Sequence, residues 1–375
     1  MPEFEGGYNP EEEKSRERVN KAKNLFRDFV GIKPDERVLF LTDKDPHNTD
    51  RELIAVLQAA VVEMGNQFSE LEATGKLSQR KLFEAVSNHQ IIWNSWGMAD
   101  TKIDFYDLAD HVEEIDARMT YSPGLKVHAL DKDGSLTESK ADLDYRLAKM
   151  EQRLRDVQGM NIKTTYGTDL TLSFKQGERR WIKDAGDIGP GDWDNFPGGE
   201  IYTTPDEESV NGVLVLPILQ DEVTLDQGVD EFVRLNIRNG KIATIDGGKS
   251  ADKLRTYLEG HSSQDAHVTS IITIAEVGFG ANSKARFGVT NPEGRYADPA
   301  GSTVEAEKRL GTMHLAFGSS KHGVPGSEGH TESIEHLDFV IPRNGLTVTV
   351  FKTPDDFAKG KNGERLIVDG GWNFT

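Results

Sequence analysis

Two histidines and an aspartate, His314, His336 and Asp338, stand in the glycine-punctuated apolar stretch from Gly311 to Val340. His336 and Asp338 are two positions apart, so on a strand both side chains face the same way and one ion can meet both. His314 sits on a separate apolar segment, Met313–Phe317, and adds a third donor if the two segments are neighbouring strands. Two imidazoles and a carboxylate suit zinc, cobalt, manganese or ferrous iron. Each histidine taken singly reads more readily as an ordinary polar residue at a strand end, and only the grouping points to a metal. Two acids are set off by glycines as well: Glu200 closes Asn195-Phe196-Pro197-Gly198-Gly199-Glu200, and Glu276 follows the apolar run Thr269–Ala275 and precedes Gly278-Phe279-Gly280. An acid ending a buried run is costly unless it meets a cation. The plain alternative for both is a solvated turn.

At 375 residues the chain exceeds one core of ordinary size, and its length suits two domains or one large α/β unit. Hydrophobic residues make up 36% and charged residues 29%, the profile of a soluble globular protein rather than a disordered one. Cysteine is absent, so any metal must be held by His, Asp, Glu and water. The formal charge of −19 argues against nucleic acid or an anionic membrane as partner, since both need concentrated Lys and Arg. No run reaches the ~18 apolar residues of a membrane span. The segment MPEFEGGYNPEEEKSRER has no apolar core of a secretion signal, so a cytoplasmic location is expected. The acidity suits solubility, a saline cytoplasm or attraction of a cationic ligand alike.

The first half has the texture of a wound α/β domain. Val19, Ala22, Leu25, Phe26 and Phe29 recur at helical spacing, Arg37–Thr42 is an apolar run of strand length, and a second helical pattern passes through Leu53, Val56, Leu57, Ala60 and Met64. The order repeats with a helix near Gln79–Ser87, a strand at Gln90–Trp93 and a helix near Phe105–Ile115, which predicts a parallel sheet covered by helices. The loop after the first strand, TDKDPHNTD, lacks the glycines of a dinucleotide site. A charged helical pattern at Ala141–Val157 leads to strand-like alternation over Asn161–Trp181 and a hairpin over Phe232–Asp246 turning at Asn239-Gly240. The expected division is 1–160 as the α/β domain and 161–375 as a mixed α+β metal-binding catalytic domain.

These segments resemble the metallo-aminopeptidase family that includes aminopeptidase T. The resemblance rests on Gly167-Thr168-Asp169-Leu170, Pro197-Gly198-Gly199-Glu200, Ala275-Glu276-Val277-Gly278-Phe279-Gly280, the run from Glu307 to Ala316, and His336-Leu337-Asp338, in the family's order over roughly 166–341. It implies a two-metal site of Glu200, Glu276, His314, His336 and Asp338 holding zinc, cobalt or manganese, with a bridging water that attacks a short peptide substrate. A homo-oligomer, a dimer or larger, is also expected. Five donors exceed the needs of one ion with an open position, which agrees with that reading. Glu276 is a candidate general base. Where the family places a tyrosine, seven residues after the first histidine, this chain has Lys321 followed by His322, two candidate donors to an oxyanion.

Similar proteins of the same architecture include ring-cleaving dioxygenases of the dihydroxypyridine type, which use one Fe(II) in a site of two histidines and one carboxylate. That group has a histidine near the position of Glu276, and the glutamate here favours the hydrolase. The expectation is therefore a metallo-aminopeptidase, with the Fe(II) dioxygenase as alternative and a metal-binding protein without turnover as a third.

Overall fold

The computed structural model describes residues 10–74, 76–97, 103, 105–175, 177–217, 232–262, 270–286, 303–321, 329–333 and 335–374. It divides into two compact units, one of Met1–Lys140 with Gly186–Pro197, the other of Ala141–Ala185 with Gly198–Thr375. The boundary expected near residue 160 thus falls some twenty residues earlier. The helix Lys140–Leu154 buries Leu143, Leu147, Met150 and Leu154 in the core of the second unit, and that apolar face decides where it belongs.

In the first unit five parallel strands lie in the order Gln67–Glu72, Arg37–Thr42, Ile91–Asn94, Arg118–Tyr121, Trp193–Asn195. The central strands are apolar on both faces because helices cover both. Val38, Phe40, Ile91 and Trp93 pack with Phe26 and Leu57 on one side, while Leu39, Leu41, Ile92 and Met119 pack with Leu82, Leu108 and Val112 on the other. Asp50 starts the helix Arg51–Glu63 by accepting from the Glu52 and Leu53 amides at 2.9 and 3.4 Å. The edge strand Gln67–Glu72 is mostly exposed, and Arg51 pairs with its Glu70 and Glu72.

The second unit is built of two antiparallel sheets. Among the described residues the larger runs Lys241–Asp246, Val233–Arg238, Asn211–Leu216, Asp169–Ser173, Gly159–Thr164, Leu346–Phe351, Glu364–Val368, Gly371–Trp372. The smaller runs His336–Ile341, Met313–Gly318, Ile274–Gly280, Glu200–Thr203, Ile182–Asp184. One core joins them: Met160, Leu172, Leu214, Leu235 and Val348 from the first meet Val277, Phe279, Leu315, Phe317 and Phe339 from the second. The chain is therefore an α/β protein with a wound parallel domain and a mixed α+β one, as its composition of elements foretold. Among the described residues no helix is long and apolar enough to cross a membrane.

Candidate metal centre

The smaller sheet of the second unit aims the chemistry. Leu337, Phe339 and Ile341 on one strand, Met313, Leu315 and Phe317 on the next, and Val277 and Phe279 on the third enter the core. Alternation along each strand then sets His336 and Asp338, His314, and Glu276 on the opposite face. In the ladders Gly278 stands opposite His314, Ala316 opposite Asp338, and Gly318 opposite His336, so small residues make room for the long ones. A Cβ on Gly278 would lie 2.1 Å from His314 Nε2, which accounts for that glycine. Glu200 joins from the fourth strand, in register with Gly280.

His314 Nε2 lies 2.7 Å from Glu276 Oε1, 3.4 Å from Glu200 Oε2 and 4.0 Å from Asp338 Oδ1. His336 Nε2 lies 3.6 Å from Asp338 Oδ2 and 3.9 Å from Glu276 Oε2. Glu276 therefore turns one oxygen to each imidazole. Two overlapping groups have ligand atoms all within 4.8 Å of one another: Glu200, Glu276 and His314, which are buried, and Glu276, His336 and Asp338, of which the last two are half-buried. The structure thus brings together all five of the residues expected to bind metal. The Ser319 carbonyl lies 2.7 Å from His336 Nδ1, which assigns the ring proton to that nitrogen and leaves Nε2 as a donor pair toward the acids.

Charge in this cluster is unevenly balanced. Burial pushes the Glu276 carboxyl up to about 8, with His336 opposing the rise and the Glu200 carboxylate adding to it. Burial also works on Glu200, but the Lys308 ammonium and His314 outweigh it and hold that carboxyl below the usual range. Lys308 is wholly buried, donates to Glu200 Oε1, and has Glu307 Oε1 at 3.0 Å and Asp184 Oδ2 at 3.5 Å. Burial opposes its charge, yet these carboxylates raise it well above the ordinary lysine value. Burial raises Glu307 well above the usual carboxylate range.

A divalent ion fits this donor set. Nitrogen and oxygen ligands without sulfur suit iron, manganese, zinc or cobalt, and Glu200 Oε2 is buried without a hydrogen-bond partner among the described residues. Its near neighbour is His314 Nε2 at 3.4 Å, too poorly aligned to bond it, and Glu276 turns one carboxylate oxygen to each imidazole.

Two expected participants fall elsewhere. Lys321 is 60% exposed and pairs at 3.2 Å with the equally open Glu332, so it is no oxyanion donor inside the cluster. His322 lies outside the described residues. The sequence reading took in Glu307 and Lys308 only as part of a motif, with no role of their own, and passed over Asp184. Glu307 and Lys308 are adjacent charges that nothing in the sequence marks as buried, and Asp184 carries no motif. Their burial becomes visible only when Asp184 and Glu200 are seen as partners in one ladder.

Comparison with known proteins corrects the expected reaction. The family model for NicX, 2,5-dihydroxypyridine 5,6-dioxygenase, matches residues 23–350. The 2,5-dihydroxypyridine 5,6-dioxygenase of Pseudomonas putida is 26% identical over 143 residues, a stretch that takes in 38% of this chain and 39% of that protein. Among solved structures, the 2,5-dihydroxypyridine dioxygenase from Pseudomonas putida superposes with a TM-score of 0.66 at 15% identity, covering 96% of this chain and 97% of that one. AmpT from Thermus thermophilus gives 0.62 at 15% identity, covering 95% and 99%. The kinship to aminopeptidase T accordingly holds for the fold, while the expected peptide hydrolysis is overturned by the family match and the curated relative. The motifs misled because they describe a sheet face that gathers acids and imidazoles, and such a face does not specify what is done there. Matched over most of its length, the chain belongs to the 2,5-dihydroxypyridine 5,6-dioxygenase family.

Proposed function

We propose that this protein opens a dihydroxylated nitrogen-containing aromatic ring with dioxygen, at one ferrous ion held by Glu276, His336 and Asp338. The observation that carries the reading is the close approach of those three residues on one sheet face, in a chain matched by the dioxygenase family over residues 23–350. A ferrous ion, when bound, supplies open coordination positions and redox chemistry that a peptidase metal does not need. His336 and Asp338 come from one strand and share a rigid spacing. The Ser319 carbonyl fixes the His336 ring so that Nε2 faces the acids. His314, 1% exposed, holds Glu276 Oε1 at 2.7 Å and orients that carboxylate. Glu276, whose carboxyl is pushed up to about 8, releases its proton when a cation takes its place.

The substrate class follows the relatives, whose named substrate is 2,5-dihydroxypyridine. Anaerobically purified protein loaded with Fe(II) is expected to bleach the ring absorbance of 2,5-dihydroxypyridine once air is admitted and to consume one dioxygen per ring. Ring absorbance and oxygen both unchanged over a range of dihydroxylated pyridines and benzenes would remove the proposal.

A further inference from the structure

We infer that the buried Arg179–Glu207 pair is a positioning device for His336, acting through the backbone that sets the direction of its ring. The inference rests on the reading that His336 is a ligand of the ion. Arg179 works on two chain segments at once. One guanidinium nitrogen donates to the Pro205 carbonyl and, at 3.4 Å, to that of Thr204, where the chain leaves the strand Glu200–Thr203. The other reaches the two oxygens of Glu207 at 2.8 and 2.9 Å. Glu207 Oε1 in turn accepts from the His330 amide at 2.9 Å. The two side chains are only 6% and 13% exposed, so water does little to screen or replace these bonds.

From His330 the connection to the ring runs along the returning chain. The Thr331 amide donates to Ser320 Oγ at 3.0 Å, and the Ser320 amide donates to the Thr331 carbonyl at 2.9 Å. One residue earlier the Ser319 amide donates to the Glu335 carbonyl at 2.6 Å, and the Ser319 carbonyl receives His336 Nδ1 at 2.7 Å. The segment that leads to His336 is thus clamped between Glu207 and Ser320. Gly329 shows how closely: a Cβ there would stand 2.6 Å from Ser320 Oγ and 2.7 Å from Glu207 Oε1. When the clamp loosens, the Ser319 carbonyl shifts and the imidazole loses the acceptor that keeps its proton on Nδ1. The clamp calls for arginine rather than any cation, because a planar fork serves carbonyls and both carboxylate oxygens together and a lysine ammonium does not.

The experiment reads the metal-free protein by the ¹⁵N resonances of its histidines, with the imidazoles neutral and His336 identified by its absence from His336→Gln, and then by anaerobic titration with Mn(II). In the parent protein His336 should show a protonated Nδ1 and a bare Nε2. Arg179→Lys keeps the charge beside Glu207 and loses the fork. It should move both resonances toward a mixture of tautomers and weaken Mn(II) binding about three- to tenfold, less than the 10- to 100-fold typical of losing an outer partner outright. Gly329→Ala, which wedges the clamp open from the other side, should do the same, and it decides the matter if Arg179→Lys does not fold. Arg18→Lys is the control: it disturbs another buried arginine, paired with Asp131 and Glu52 in the first unit, and should leave both readings at the parent's values. Parent-like resonances and Mn(II) affinity in folded Arg179→Lys or Gly329→Ala, or the same changes in Arg18→Lys, would overturn the inference. A parent that takes up no Mn(II) removes His336 as a ligand, whereas the resonances of the metal-free protein judge the clamp by themselves.

Discussion

His336 donates its Nδ1 proton to the carbonyl of Ser319 at 2.7 Å, across the ends of the two strands that carry the histidines. That bond sets the tautomer of a half-buried ring and turns Nε2 toward Asp338 and Glu276. His336→Gln should therefore keep the fold and lose metal affinity by a factor of about a hundred or more, beyond the 10- to 100-fold typical of losing an outer partner alone. Anaerobic Mn(II) or Fe(II) titration measures it, and an affinity equal to that of the parent would show that the ion lies elsewhere.

Gly278 is where backbone and site compete for room. A methyl group there would meet His314 Cε1 and Nε2 at 2.1 Å, and the ring is boxed in by Glu276 and Glu200. Gly278→Ala should cost about 1–3 kcal/mol, the usual penalty of overpacking. It should also weaken metal binding by displacing His314 from Glu276. Urea unfolding of the metal-free variant reads the first effect, and unchanged stability would mean that the ring moves aside freely.

The Arg179–Glu207 pair should dominate part of the acid response. Arg179 reaches Glu207 Oε1 at 2.8 Å and Oε2 at 2.9 Å, both side chains are largely buried, and the His330 amide donates to the same carboxylate. Burial alone would raise the Glu207 carboxyl, but the His330 amide and the guanidinium outweigh it and hold it below the usual range. A depressed folded value means that its stabilisation is whole above the unfolded value of about 4.3 and is lost as pH falls through the lower folded one. Glu207→Gln, which strands a buried guanidinium, should cost about 3–5 kcal/mol at pH 7. The gap from the parent should narrow below about pH 4. Denaturant unfolding at several pH values checks this, and a gap independent of pH would contradict it.

Much of the scaffold was readable because it rests on local rules. Asn239 and Gly240 both adopt positive φ, 49° and 70°, as the turn between two strand runs requires. The apolar stripes of Pro10–Asp28 and Arg51–Glu63 become helices as their periodicity demands. Period-two alternation was enough to set His336 and Asp338 on one face. What escaped was non-local or polar. Gln67–Glu72 was not picked out because an exposed edge strand has no apolar face to display, and Trp193–Asn195 joins a parallel sheet whose other strands lie far earlier in the chain. The burial of Lys308 escaped, since nothing in its neighbours along the chain tells of Asp184 and Glu200 closing over it. The reaction escaped for a different reason: the same acids and imidazoles serve a peptidase metal and a ferrous ion.

Lys308 carries a stability consequence of its own. With its buried carboxylates left uncompensated, metal-free Lys308→Met should lose about 3–5 kcal/mol. Added Mn(II) should restore more of the melting temperature in that variant than in the parent, because an ion that binds only the folded state stabilises it. Equal thermal shifts in the two proteins would argue that the carboxylates are satisfied without any cation.

The most direct measurement is the fate of labelled oxygen. The Fe(II)-loaded protein is given 2,5-dihydroxypyridine under ¹⁸O₂ in ordinary water, and the ring-opened product is weighed by mass spectrometry against a parallel reaction with Asp338→Asn. Ring opening by a dioxygenase predicts two ¹⁸O atoms in the product of the parent protein and no product from the variant. A product carrying oxygen from water alone, or one formed equally well by Asp338→Asn, would contradict the account.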